Sequence, residues 1–258
     1  VLVVGAGYWG PNVVRNLARF PDVERIGIFD LDESKSRSLA FQFPRAYVET
    51  DFEKALKNSY QAAAIVTPVL THADLAKRVL EAGLHVLIEK PLTRTVEEAR
   101  SLIELAKRTD RCLMAGHVFH YKPAVRYMAE MVRRGDIGEV CYIDSVRVNL
   151  GLFRHDVNVL WDLAPHDLSI FEAVLGGRMP IHVSAQGGQH VKHPTRRQET
   201  MVYVTLDYGN DVIAHIHVNW FSPLKQRQMV LAGTKKMVVY NDMDLNEPLR
   251  VYDCGTYD

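Results

Sequence analysis

The sequence predicts an α/β protein in two parts. A doubly wound parallel sheet should occupy residues 1–118. An α+β part with a large, mainly antiparallel, open-faced sheet should occupy residues 119–258. Three observations carry this. Short apolar runs alternate with amphipathic helical stretches through the first half, as in a parallel sheet covered on both faces. A glycine-rich turn follows the first run directly and opens a helix. Beyond AGHVFHYKPAV the pattern becomes one of successive strands with glycine turns between them.

The elements follow in order. VLVVGAGYWG is a β-branched run that meets glycines and becomes the helix PNVVRNLARF, where Val13, Val14 and Leu17 recur at helical spacing. ERIGIFD is a second strand ending on Asp30. DESKSRSLAFQF is a helix that Asp32 or Ser34 can cap. AAAIVTP is a buried strand stopped by Pro68, and THADLAKRVLEAGL an amphipathic helix closed by Gly83. HVLIEKP, TVEEARSLIELAKRT and CLMAGHVF read as strand, helix and strand. KPAVRYMAEMVRRGDIGEV is a helix and turn, and six strands follow: CYIDSVRVNLG, IHVSAQGGQHV, ETMVYVTLDYG, VIAHIHVNWF, RQMVLAGT and KMVVYND. Val202, Val204 and Leu206, like Val212, Ala214 and Ile216, alternate with polar neighbours and define one packed face.

The 258 residues suffice for two modest domains with real cores, and 31 basic residues balance 31 acidic ones. No global field therefore recruits nucleic acid or an anionic membrane, and no apolar run approaches the length needed to span a bilayer. Cys112, Cys141 and Cys254 are odd in number and scattered, which suits a reducing, cytoplasmic setting better than a disulfide framework or a zinc knuckle. The chain starts inside a strand and stops at YDCGTYD, so further residues are expected at both ends.

In GAGYWG (5–10), Gly5 permits the tight turn, Gly7 lets backbone approach a pyrophosphate, and Gly10 lets helix and strand pack closely. The helix N-terminus offers N–H groups and a positive dipole end to phosphates. Asp30, at the end of the next strand, can accept both hydroxyls of an adenine ribose and would repel a 2′-phosphate. NAD is thereby favoured over NADP, although Lys35 and Arg37 lie near enough to leave NADP open.

VTPVLTH (66–72) and IEKPL (88–92) stand at the C-terminal ends of predicted strands, where open α/β sheets bind ligands. With the glycine loop, and with GDIGEV, WDLAPHD and HVNWFSPLKQRQ, they resemble the glucose–fructose oxidoreductase / inositol dehydrogenase / MocA-like dehydrogenases. The likeness runs through essentially the whole chain, and the Glu-Lys-Pro triplet is its most specific mark. The resemblance implies a Rossmann first domain. Gly5, Gly7, Tyr8, Trp9 and Gly10 match its pyrophosphate turn and Asp30 its ribose carboxylate. Thr67, Pro68 and His72 match the segment flanking the nicotinamide, with Glu89, Lys90, His117 and Trp161 also against the cofactor. It further implies a cis peptide before Pro91 that aims Lys90 into a cleft. The chain ends sooner than most of the family.

NVLWDLAPHD (158–167) sets Asp162 and His166 four residues apart in an otherwise apolar stretch. Because proline is tolerated in a helix's first turn, Pro165 predicts a helix beginning near that residue and stopping at Gly176–Gly177. Asp162 and His166 would then sit in the cap and first turn, with Leu168, Phe171 and Leu175 facing the core. A helix dipole lowering the imidazole's pKa and a carboxylate raising it would leave His166 near neutrality. From the residues alone, a core histidine and a proton carrier fit equally; the resemblance places both side chains in the substrate cleft. It implies a catalytic set in which His166 takes the hydroxyl proton, Lys90 stabilises the developing alkoxide, and Asp162 orients His166 or grips a hydroxyl.

His215 and His217 share a strand face, but nothing at suitable spacing completes a metal site, and an interface or solvated face is the expectation. Arg133–Arg134 and Arg196–Arg197 read as solvated charges. Arg147, Asn149 and Arg154 precede the WD–His segment and are expected over the cleft, where arginine forks suit carboxylates and phosphates. Tyr121 and His120 are expected near them. Plain sheet-surface polarity is an equal alternative for these residues. The reading is an NAD-dependent oxidoreductase acting on a secondary hydroxyl of a sugar, nucleotide sugar or inositol. The resemblance also implies a homodimer or homotetramer joined through the open sheet face. A non-catalytic NAD-binding regulator on the same scaffold is the alternative, and diol or pyrrole-type reduction would predict a flatter, more apolar pocket.

Overall fold

The computed structural model describes residues 1–151, 153–154, 156–191 and 198–253; Cys254 and the pair Arg196–Arg197 lie outside the described residues. The chain forms two compact units, Val1–Gly116 and His117–Asp258.

In the first unit β1 (Leu2–Val4), α1 (Gly10–Leu17), β2 (Ile26–Phe29), α2 (Glu33–Ala40), β3 (Ala46–Val48), α3 (Phe52–Leu56), β4 (Ala62–Ile65), α4 (His72–Glu81), β5 (His85–Ile88), α5 (Val96–Thr109) and β6 (Leu113–Ala115) alternate along the chain. The strands lie in the order β3-β2-β1-β4-β5-β6, all parallel. Period-2 alternation sends side chains to both faces. Leu2, Val4, Ala63 and Ile65 enter one apolar layer with α4 and α5 residues, while Val3, Ala64, Ile26 and Ile28 enter another with Val14 and Leu39. The order turns about β1, so the loops after β1 and β4 leave at the point where ligands of open α/β sheets bind. β3 and α3 join the expected elements; both are short, and Asp51 caps α3 by accepting from the Lys54 amide.

The second unit opens on α6 (Pro123–Arg134), with Pro123 in its first turn and Gly135 as a left-handed cap. β7 (Val140–Leu150), α7 (Val159–Val174), β8 (His182–Gly188), β9 (Met201–Asp207), β10 (Ile213–Asn219), β11 (Phe221–Gly233), β12 (Lys236–Asn241) and β13 (Leu249–Asp253) follow. The sheet runs β13-β12-β11-β7-β10-β9-β8 and is antiparallel except where β7 meets β10. Val202, Val204, Leu206, Ala214 and Ile216 are buried, as their alternation predicts, in a core shared with Ile170, Phe171 and Val174 of α7. On the opposite face Tyr203, Ile213 and Tyr252 are exposed, His215 pairs with Asp144 at 3.0 Å, and His217 stacks on Tyr203 at 4.2 Å. No cluster of three or more metal-binding side chains occurs among the described residues, and no helix among them is long and apolar enough to cross a membrane. The paired arginines Arg133 and Arg134 both bind the Glu130 carboxylate.

α7 corrects the expectation built on Pro165. The helix starts at Val159 under an Asn158 cap that accepts from the Trp161 amide, and Pro165 lies inside it. Proline there removes one amide donor to the preceding turn; the capped start and the burial of Val159, Ala164, Ile170 and Phe171 outweigh that loss. Asp162 remains in the first turn, but His166 stands a turn deeper, beyond the reach of the helix-end field. The buried face of the helix also differs from the expected one: Leu168 is 43 % exposed and Asp167 1 %.

Candidate active site

The glycine loop is built as its spacing requires. Gly5 adopts φ +107°, and a Cβ there would lie 2.9 Å from the Val66 carbonyl oxygen. A Cβ on Gly10 would lie 2.4 Å from the Gly5 oxygen, so only glycine lets α1 start this close to the strand end. A Cβ on Gly7 would meet nothing within 4 Å, which leaves a backbone edge open to a large anion. Tyr8 and Trp9 are exposed beside it. Asp30 fastens the loop: one carboxylate oxygen accepts from the Ala6 amide at 2.7 Å and the other from the Asp32 amide at 2.9 Å. Each oxygen keeps a further lone pair for a ribose hydroxyl. The cations able to welcome a 2′-phosphate are engaged, Arg37 with Glu33 and Lys35 with Asp32. These features fit an NAD dinucleotide.

Thr67 and Pro68 follow β4, where the Thr67 and Thr71 hydroxyls share a hydrogen bond of 2.7 Å. His72 is 1 % exposed. Its ring nitrogens lie 2.7 Å from the Thr67 carbonyl oxygen and 3.0 Å from that of Pro91, so it ties the loop after β4 to the loop after β5. Glu89, Lys90 and Pro91 leave the end of β5, and the Lys90–Pro91 bond is cis. Burial holds the Glu89 carboxyl above the usual carboxylate range, against the opposing pull of the Lys90 amide and the Trp9 side chain.

In the second unit His117 starts a 3₁₀ turn, Val118–Tyr121, that leaves Tyr121 exposed beneath the Arg126 guanidinium. His120 meets Glu172 of α7 at 2.6 Å. Asp162 and His166 lie one turn apart on α7, where side chains four residues apart share a face. Asp162 accepts from the indole of buried Trp220 at 3.1 Å. His166 packs on the Phe119 ring, centroids 5.0 Å apart and planes tilted by 59°. Trp161 stands exposed in the same first turn.

Arg147 corrects a second expectation. It does not hang over an open face but is 4 % exposed on the α7 side of β7. Its guanidinium grips Asp167 with two bonds of 2.9 Å, and Ser145 donates a third to the same carboxylate. Burial opposes the charge on Arg147, yet the carboxylate outweighs it and raises the pKa. Asn149 is half-buried two residues further along β7. Arg154 binds Asp156 through two bonds of 3.0 Å at the surface. Asp167, Phe119 and Trp220 are the residues here that the sequence reading missed. The signal was the arginine of SVRVNL sharing Ser145's face, which demands a buried anion.

Comparison with known proteins identifies the family. The family described as "Oxidoreductase family, NAD-binding Rossmann fold" matches residues 1–117, and the "GFO/IDH/MocA C-terminal domain" matches residues 125–239. UDP-N-acetylglucosamine 3-dehydrogenase of Acidithiobacillus ferrooxidans is 33% identical over 98% of this chain and 76% of its own. A solved structure of that enzyme superposes with a TM-score of 0.84 at 25% identity, covering 98% of this chain and 79% of its own. GenD2 from gentamicin A biosynthesis, solved in complex with NAD, gives 0.86 at 25% identity over 95% of this chain and 76% of its own. The chain belongs to the Gfo/Idh/MocA family of oxidoreductases, and its first unit is that family's NAD-binding Rossmann fold.

Proposed function

We propose that this chain is an NAD-dependent dehydrogenase acting on a secondary hydroxyl of a sugar or nucleotide sugar. The observation that carries the reading is the Asp162–His166 pair on one face of α7, in a chain that also presents Lys90 after β5. NAD, when bound, supplies the acceptor for the hydride. His166 takes the hydroxyl proton as general base. Lys90 donates a hydrogen bond to the same oxygen and stabilises alkoxide charge as it develops. Asp162, fixed by the Trp220 indole, orients His166 or grips a neighbouring hydroxyl. Gly5, Gly7 and Gly10, with the exposed Tyr8 and Trp9, cradle the pyrophosphate, and Asp30 takes the adenine ribose. Thr67, Pro68 and Glu89 line the nicotinamide half together with His117 and Trp161, while His72 holds their loops in place.

Tyr121 and Asn149 contact the substrate, and Arg154, oriented by its two bonds to Asp156, offers its remaining N–H groups to a phosphate or carboxylate. The similarity to a UDP-N-acetylglucosamine 3-dehydrogenase makes a nucleotide sugar the first substrate to try. A second copy of the chain covers the open sheet face bearing Tyr203, Ile213 and Tyr252, and sedimentation at high concentration should show no monomer. The setting is cytoplasmic, in keeping with Cys112 and Cys141 as free thiols. Absorbance of reduced nicotinamide, followed across a panel of sugars, inositols and nucleotide sugars, tests the activity. A non-catalytic NAD-binding regulator, which needs no proton path, would bind NAD and reduce none of it with any member of the panel.

A further inference from the structure

We infer that Phe119 is a positioning residue for His166, a role that rests on His166 being the base. The phenyl ring is 5 % exposed and is held on several sides. The Arg147 guanidinium carbon lies 4.7 Å from its centroid and the Lys122 ammonium 4.8 Å. Cations at this distance are attracted to the ring's π-face, and both are themselves anchored. Arg147 is locked to Asp167. Lys122 binds Asp242, whose carboxylate also takes the Tyr240 hydroxyl at 3.0 Å and lies 3.5 Å from Arg227. Five charged groups from β7, α7, β11 and the segments flanking α6 and β12 therefore fix one neutral ring, and the imidazole of His166 rests against it.

The same network fixes the backbone beneath the imidazole, because Asp167 is the next residue on α7. His166 is thus restrained from both ends: its Cα by the Asp167–Arg147 fork and its ring by Phe119. A general base must be held within a fraction of an ångström of its proton, and a displacement of about 1 Å can cost 10²-fold in rate. Phe119 touches no reacting atom in this scheme; it acts through His166.

The test compares Phe119→Leu with Phe119→Tyr in the full chain. The inference predicts a kcat lower by about 10–100-fold in Phe119→Leu, an unchanged KM for NAD, and recovery of most turnover in Phe119→Tyr. A structural role alone would not lower kcat at an unchanged KM for NAD with rescue by tyrosine; the contact itself is read from the His166 Cε1–H resonance in histidine-labelled protein without NAD or sugar, identified by its loss in His166→Gln. Ring current from Phe119 should displace that resonance in the native chain and in Phe119→Tyr, and the displacement should vanish in Phe119→Leu. Loss of the displacement with undiminished kcat, in an enzyme that His166→Ala inactivates, would overturn the inference. Full activity in His166→Ala would instead remove the proposed reaction, leaving the resonance to report on the contact by itself. Should Phe119→Leu fail to fold, Lys122→Met frees the ring on one side while Asp242 keeps Arg227 and Tyr240. A shifted resonance and a lowered kcat support the role, and no change in either refutes it.

Discussion

Replacing Arg147 by methionine isolates the buried ion pair beneath α7. The substitution keeps an apolar stem of similar reach but removes both guanidinium bonds to Asp167, leaving that carboxylate at 1 % exposure with the Ser145 hydroxyl alone. Breaking one side of a buried pair costs about 3–5 kcal/mol, because the remaining charge is neither hydrated nor compensated. With a urea m-value of about 2 kcal/mol/M, the unfolding midpoint of this unit should fall by about 2 M. Trp220, 2 % exposed, and Trp161 both lie in the second unit, so their emission follows its unfolding directly. The double variant Arg147→Met/Asp167→Leu removes the stranded charge together with its partner. It should regain wild-type stability or exceed it by about 1–4 kcal/mol. A single variant within about 1 kcal/mol of wild type, or a double variant no better than the single, would refute the assignment of this pair as buried and mutually dependent.

Three further outcomes follow from the first unit. Gly10→Ala forces a Cβ against the Gly5 oxygen at 2.4 Å, and calorimetry should show NAD affinity reduced by at least about tenfold, since loop and helix must part. Asp30→Ala frees the Ala6 amide and the ribose site together, so affinity for NAD should fall more than that for NADP and the preference between them should narrow. Glu89→Gln reports on burial. A folded pKa raised above the ordinary 4.5 means that Glu89 destabilises the fold increasingly as pH climbs from that value through its folded pKa. The glutamine variant should therefore lose this part of the wild-type decline in Tm, and an identical pH profile would contradict the stated burial.

Most of the architecture was legible because it rests on periodicity and glycine chemistry. β1, β4 and β5 read as apolar runs, and the turn from Gly5 to Gly10 announces both its conformation and its ligand. What escaped was short or was decided by tertiary packing. β3 and β13 are edge strands with half-buried or exposed residues rather than buried apolar runs, and α3 is a single short turn of helix. Pro165 misled because its local preference for a first turn was overridden by the Asn158 cap and by the core that α7 joins. The buried face of the helix also differs from the expected one, with Leu168 out and Asp167 in. Arg147 then moved from an expected substrate contact to a buried partner, since sequence shows that a charge exists but not which carboxylate neutralises it. Lys90, Asp162 and His166, the proposed catalytic set, come from the family likeness, whereas the apolar wall at Phe119 has no motif to mark it.

In the proposed reaction Lys90 and His166 act on the substrate's oxygen while contributing little to holding the dinucleotide. The direct measurement is single-turnover NAD reduction at saturating NAD and sugar for Lys90→Ala and His166→Ala, beside the NAD dissociation constant of each. The expected result is a chemical step slowed by about 10²–10⁴-fold in each variant, with NAD affinity close to that of the parent. An unslowed step in either variant, or a loss explained wholly by weakened NAD binding, would contradict it.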